Sequence, residues 1–108
     1  MATNVYREAR GESVDGQVAV TRVVMNRMSI KEYPNTACGV IYAKNQFSWT
    51  SKYKSIVYDQ QSIDSVILAY NSNEEFTATH YHNTSVKPSW RKQLKQGVTI
   101  GNHTFYAP

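Results

Sequence analysis

Apolar side chains recur at helical spacing through two long stretches of this 108-residue chain, and its last third turns to short runs bounded by turn residues. A short helix is predicted from about Asn4 to Arg10, stopping at Gly11, a residue suited to a helix end. Ser13 can cap a second helix, with Asp15 in its first turn where the dipole favours an anion. That helix runs to Met28, with Val20, Val23, Val24 and Met28 at helical spacing and Ala19 and Met25 thickening the stripe, so it is expected to be central and buried on more than one side. After Pro34, Asn35 or Thr36 can cap a short helix over Cys38 to Tyr42. Lys44 to Tyr58 lacks a clean period and reads as an extended loop or irregular hairpin. Asp59 caps the next helix, whose stripe Ile63, Val66, Ile67 and Tyr70 follows the i, i+3, i+4, i+7 pattern. Thr77 to Asn83 reads as a strand, Pro88 starts a helical turn, and "VTIGNHTFY" forms a hairpin turning at Gly101-Asn102. The fold class is therefore α+β, mainly helical with a small β element.

Composition narrows this picture without changing it. With 41% apolar and 19% charged residues the chain is ordinary globular material, and its length suits a single domain over residues 1–108. No apolar run is long enough to span a membrane, so no stable membrane insertion is expected. Charged and polar residues crowd the first dozen positions, where a secretory signal needs an apolar stretch. The expectation is a protein made in the cytoplasm without a signal peptide, or a domain cut from an exported one. The single cysteine, Cys38, excludes an intramolecular disulfide and a cysteine zinc cluster, and its apolar neighbours predict burial. A net charge of +4 favours a polyanionic partner such as nucleic acid, an acidic membrane or a bacterial cell wall. The basic residues are dispersed, and their densest group (Arg91, Lys92 and Lys95) is too small to indicate nucleic-acid binding.

The chemistry centres on "EARGE", Glu8 to Glu12. In a continuous helix these carboxylates would stand one turn apart, about 5–6 Å between Cβ atoms. That separation matches the two carboxyls of a retaining glycosidase, about 5–5.5 Å apart. Such carboxyls flank the scissile bond, however, and neighbours on one helical turn reach a substrate from the same side. At most one is then a catalytic acid. Glu12, beyond the glycine, has a structural role open to it, accepting backbone N–H bonds or pairing with Arg10. Glu8 faces either a partly apolar cleft that keeps it protonated, or solvent or a salt bridge. The other acids read as helix-start, polar-face or loop residues: Asp15, Asp59, Asp64, Glu32, Glu74 and Glu75.

"YREARGE", "GQVAVTRVVMNR", "YPNTACGVIY", "QFSW", "THYHN", "KPSW" and "IGNHTFY" follow one another in order over nearly the whole chain. This succession resembles the catalytic domain of the SleB-like cell wall hydrolases, the spore-cortex-lytic enzymes whose domain bacteriophages also use in lysins. The resemblance implies a lysozyme-like fold, peptidoglycan glycan strands as partner and substrate, and one catalytic glutamate, Glu8. It further implies a lytic transglycosylase that needs one acid, no enzymic nucleophile and no cofactor. Glu8 protonates the oxygen between N-acetylmuramic acid and N-acetylglucosamine, and the muramic C6 hydroxyl closes on C1. The chain is expected to act on the bacterial wall as a monomer of the phage-lysin type.

Around Glu8, "NQFSWTSKY" offers amide, hydroxyl and aromatic groups suited to sugar rings. Gln46 and Ser48 are candidate substrate-binding residues, Phe47 is expected in the core, and Trp49 fits either place. In "THYHN", His80 and His82 share one strand face and Thr79 and Tyr81 the other. By similarity this segment lines the cleft, making Tyr81 and His82 substrate-binding candidates; the alternative for both is hydrogen-bonded, part-buried residues. Trp90 and "HTFY" are expected to close the core. Two competing functions remain. His80, His82 and His103 can be read as the ligands of a zinc-dependent N-acetylmuramoyl-L-alanine amidase, or the chain as a non-catalytic wall-binding module.

Overall fold

The computed structural model describes residues 1–43, 46–53 and 55–108. Helix α1 (Ala2–Ala9) is followed by α2 (Val14–Met28), α3 (Ala37–Ile41), α4 (Trp49–Lys52) and α5 (Gln60–Asn71). Strand β1 (His80–Asn83), a 3₁₀ turn (Ser89–Gln93), β2 (Lys95–Ile100) and β3 (His103–Ala107) complete the chain. The sheet is antiparallel in the order β1-β3-β2, with Tyr81 opposite Phe105 and Asn83 opposite His103.

Local signals set most of these boundaries. Ser13 Oγ accepts the Gly16 N–H, Thr36 Oγ1 that of Gly39, and Asp59 that of Ser62, whose own hydroxyl lies against the Asp59 backbone in a capping box. Gly11, at φ 90°, reverses the chain between α1 and α2 with a backbone conformation that side chains resist. Gly101 turns the β2–β3 hairpin at φ 56°, and a Cβ there would collide with the Glu12 carboxylate.

Helix α2 is buried on two sides. Ala19, Val20 and Val23 pack with Ala9, Ala78 and Phe105, whereas Val24 packs with Val40, Ile41, Phe47 and Trp49. Each large apolar side chain so enclosed contributes roughly 1.5–3 kcal/mol. Tyr81 touches both clusters, wedged where the sheet meets the helices. Phe105 and Tyr106 close the core as expected, and Trp90 is half-buried against Tyr106.

Three expectations are corrected. The stretch from Lys44 to Tyr58 contains the helical turn α4 and, among the described residues, no hairpin; Lys44, Asn45 and Lys54 lie outside the described residues. The apolar stripe of α5 faces the core only in part: Ile63 and Val66 are half-buried, whereas Ile67 and Tyr70 are each 53% exposed. Its buried positions are Ser62, Ser65 and Ala69, because α5 lies against α2 and small side chains permit the close approach. Ser65 Oγ donates to the buried Gln17 Oε1 at 2.8 Å, and Gln17 Nε2 donates to the Ala9 carbonyl at 3.1 Å, so a polar relay replaces apolar packing there. Cys38 is exposed, since α3 turns only Val40 and Ile41 inward.

Candidate active site

Glu8 lies on the inner face of α1, which also carries Asn4, Val5 and Ala9. Positions 4 and 8 fall one turn apart, so the helix that buries Asn4 delivers Glu8 to the same side. Asn4 Oδ1 accepts the Trp49 indole N–H at 2.8 Å, tying α4 to α1. With α4 fixed, two openings meet at Glu8. The larger, about 790 Å³, is lined by Glu8, Tyr42, Gln46, Phe47, Ser48, Thr50 and Ser51. The smaller, about 230 Å³, is lined by Tyr6, Arg7, Glu8, Arg10, Trp49 and Tyr53.

The Tyr81 hydroxyl donates to Glu8 Oε1. Burial raises the Glu8 pKa above the ordinary carboxyl range, and it outweighs the Tyr81 hydrogen bond and the nearby Arg27 cation, both of which favour the ionised form. Tyr81 itself is held well above its usual pKa by burial and by the Glu8 charge, so it remains a donor. The result is a carboxyl in a cleft whose protonated form burial favours, with one oxygen held by a tyrosine.

Glu12 is different in every respect. Its Oε1 accepts the Asn102 backbone N–H at 2.9 Å and its Oε2 the Asn102 amide at 3.0 Å. Those bonds lower its pKa and make it a brace between the α1–α2 junction and the hairpin. Arg10, the partner considered from sequence, bonds Tyr6 Oη instead. A depressed carboxyl adds stability above its unfolded pKa and loses it as pH falls through the folded one. Replacing Glu12 by Gln is expected to cost less than about 1 kcal/mol at neutral pH, an effect shrinking toward acid, with turnover retained. Thermal melts at neutral and acidic pH beside a wall-lysis assay check it.

Among the other candidates, Gln46 and Ser48 are exposed on the larger opening. Phe47 is core with one edge on that opening. Trp49, 5% exposed, is core and also lines the smaller opening. Tyr81 meets Glu8, but His82 does not. Strand alternation sends His82 to the other sheet face, where it packs on Trp90 and Tyr106, its Nδ1–H donating to the Asn83 carbonyl and its Nε2 lying 2.9 Å from Tyr106 Oη. His80 joins the same aromatic group. His103, paired with Asn83, belongs to the opposite face and packs on Tyr81 and Phe105. The register thus divides the three histidines, and they do not form one ligand set.

Arg27 is the site residue that the sequence reading passed over. It is 5% exposed, donates from Nε to the Thr79 carbonyl at 2.7 Å and from Nη1 to Gln46 Oε1 at 3.1 Å, and lies over the rings of Tyr33 and Phe47. It thereby joins Thr79, the residue before β1, to the lip of the larger opening and places a buried positive charge near Glu8. The signal was present: position 27 continues the stripe Val20, Val23, Val24 at i+7, i+4 and i+3, and an arginine on a buried stripe needs partners.

Comparison with known proteins places the chain in a family. The family model described as Cell Wall Hydrolase matches residues 11–106, beginning just after Glu8. The spore cortex-lytic enzyme of Oceanobacillus iheyensis is 35% identical over 111 residues, covering 97% of this chain and 39% of that protein. Its Bacillus subtilis counterpart is 32% identical over 113 residues, covering 97% of this chain and 35% of that one. The chain thus spans about two fifths or less of the length of these curated relatives. The solved catalytic domain of the germination-specific lytic transglycosylase SleB from Bacillus anthracis superposes with a TM-score of 0.85 at 33% identity, over 98% of this chain and 89% of that one. The SleB catalytic domain of Bacillus cereus gives 0.84 at 33% identity, over 98% and 85%. The lysozyme-like α+β fold and the resemblance read from the motifs both hold: this chain belongs to the cell wall hydrolase family.

Proposed function

We propose that this domain cleaves the glycan of peptidoglycan as a lytic transglycosylase, with Glu8 as its only general acid and base. The observation that carries the reading is the solitary carboxyl at the meeting of two openings, its protonated form favoured by burial: the described residues lining both openings include no other acid. A hydrolase needing a second carboxylate, as nucleophile or water base, finds none there. A transglycosylase needs one, because its nucleophile is a hydroxyl of the substrate.

The steps follow from the hydrogen-bond pattern. Tyr81 occupies Oε1, so the Glu8 proton sits on Oε2 and is given to the oxygen leaving C1 of the muramyl sugar. The larger opening at Glu8, about 790 Å³, has room for sugar units beside that bond. As the bond breaks, Glu8 becomes a carboxylate, and the Tyr81 donor and the Arg27 charge stabilise that state. The carboxylate then removes the proton of the C6 hydroxyl, whose oxygen bonds to C1. Glu8 is protonated again, and the product is a 1,6-anhydro sugar. Gln46 and Ser48 on the larger opening are the substrate-binding residues of this reading, with Tyr81 positioning the acid. His82 and Trp49 support the fold.

The divided histidines weigh against the amidase alternative. A wall-binding module has no use for a part-buried carboxyl held by a tyrosine at an opening. Digestion of purified sacculi followed by mass spectrometry is expected to release muropeptides ending in 1,6-anhydromuramic acid. Reducing muramic ends would mean water attack, and free intact stem peptides would mean amide cleavage; either result overturns the proposal.

A further inference from the structure

We propose that the smaller opening beside Glu8 is a carboxylate-binding subsite, where Arg7 and Arg10 hold an acidic group on the peptide substituent of the glycan. This rests on the peptidoglycan reading above and adds to it a determinant of substrate choice. The opening holds two guanidinium groups and one carboxyl, Glu8, which burial favours in its neutral form. Its lining therefore carries more positive than negative charge beside Glu8, with Asp59 acting on Arg10 from outside the lining.

Part of this charge has a structural explanation, since cations near a helix C-terminus offset the dipole. That explanation does not account for the donors. Arg7 Nη2 bonds Ser55 through Oγ at 3.0 Å and the carbonyl at 3.3 Å, and its Cζ lies 4.4 Å from the centroid of the Tyr53 ring. Among the described residues its Nε is buried without a hydrogen-bond partner. Buried N–H groups left unpaired are costly, so this guanidinium is not fully satisfied by the fold. Arg10 is exposed at the mouth of the same opening, with Nη1 on Tyr6 Oη. A guanidinium carries five N–H donors in one plane, the arrangement that receives a carboxylate through two parallel bonds. The muramyl sugar whose C1 bond Glu8 attacks carries its peptide on the lactyl ether of C3 of the same ring, and that peptide supplies the carboxylates such a pair can receive.

The experiment compares glycan strands freed of phosphate polymers with the same strands after carbodiimide coupling to ammonia, which converts their carboxylates to neutral amides. The wild-type protein is expected to show a kcat/KM about tenfold higher on the native strands, carried by KM, as loss of one charge-assisted contact implies. In Arg7→Gln/Arg10→Gln the ratio is expected to fall to near one, and Arg10→Gln alone, at an exposed position the fold does not need, to reduce it. An unchanged ratio in Arg10→Gln and the double variant, or no discrimination by wild type, overturns the subsite. Discrimination seen only on walls that retain phosphate polymers overturns it in favour of phosphate. Calorimetric binding of both strands to Glu8→Gln separates the two proposals. An arginine-dependent preference there, without wild-type turnover of either strand, keeps the subsite and removes the reaction.

Discussion

Glu8→Gln is expected to lower kcat on peptidoglycan by about 10²–10⁴-fold, the range general acid–base catalysis supplies, or roughly 3–5 kcal/mol of barrier. The amide keeps the size of the side chain and can still accept from Tyr81, so the cleft stays filled and the α1–β1 contact survives. What it lacks is a proton to give and a carboxylate to take one back. A second readout follows from burial. An acid whose folded pKa is raised binds its proton more tightly in the native state than in the unfolded one. Stability is then full below the unfolded pKa and falls as pH rises through the folded value. Wild type should lose melting temperature across that window, and Glu8→Gln should not. Release assays at one pH and melts across the series measure both effects; a variant with near-normal activity eliminates Glu8 as the acid.

Tyr81→Phe is the second large effect, expected to cut kcat/KM by about 10- to 100-fold, toward the lower end of what losing one positioned donor costs. Phe retains the ring between the two core clusters, so stability should change far less than activity. The sign of the pH effect is definite. Burial raises the Glu8 pKa, while the Tyr81 bond and the Arg27 charge lower it. Removing the tyrosine hydroxyl leaves burial opposed by Arg27 alone, so the Glu8 pKa rises further. The alkaline limb of the kcat/KM profile, which reports loss of the Glu8 proton, moves to higher pH even as the maximum falls. A purely structural tyrosine would lower the whole profile without moving that limb.

The helices, their caps and the hairpin were legible in the chain because they depend on neighbours in sequence. Ser13, Thr36 and Asp59 each accept a backbone N–H three positions on, and Gly11 and Gly101 meet turns that favour a missing Cβ. The ordered motif blocks carried the family in the same way, as did the argument that Glu8 and Glu12 cannot flank one bond. Alternation along β1 also separated Tyr81 from His80 and His82 before any sheet was in view.

Packing decided the rest. Half of the apolar stripe of α5, Ile67 and Tyr70, faces outward because α2 approaches closely only where side chains are small, and periodicity records that a face is apolar, not what lies against it. The same limit misplaced Cys38, concealed Arg27 within an apolar stripe and left the position of His103 open until the register with Asn83 was known. Residue order alone determined the elements, their ends and the motifs. The tertiary structure decided which carboxyl is kept from water and which is braced in it, because desolvation is set by everything packed around a group and by nothing in its immediate sequence.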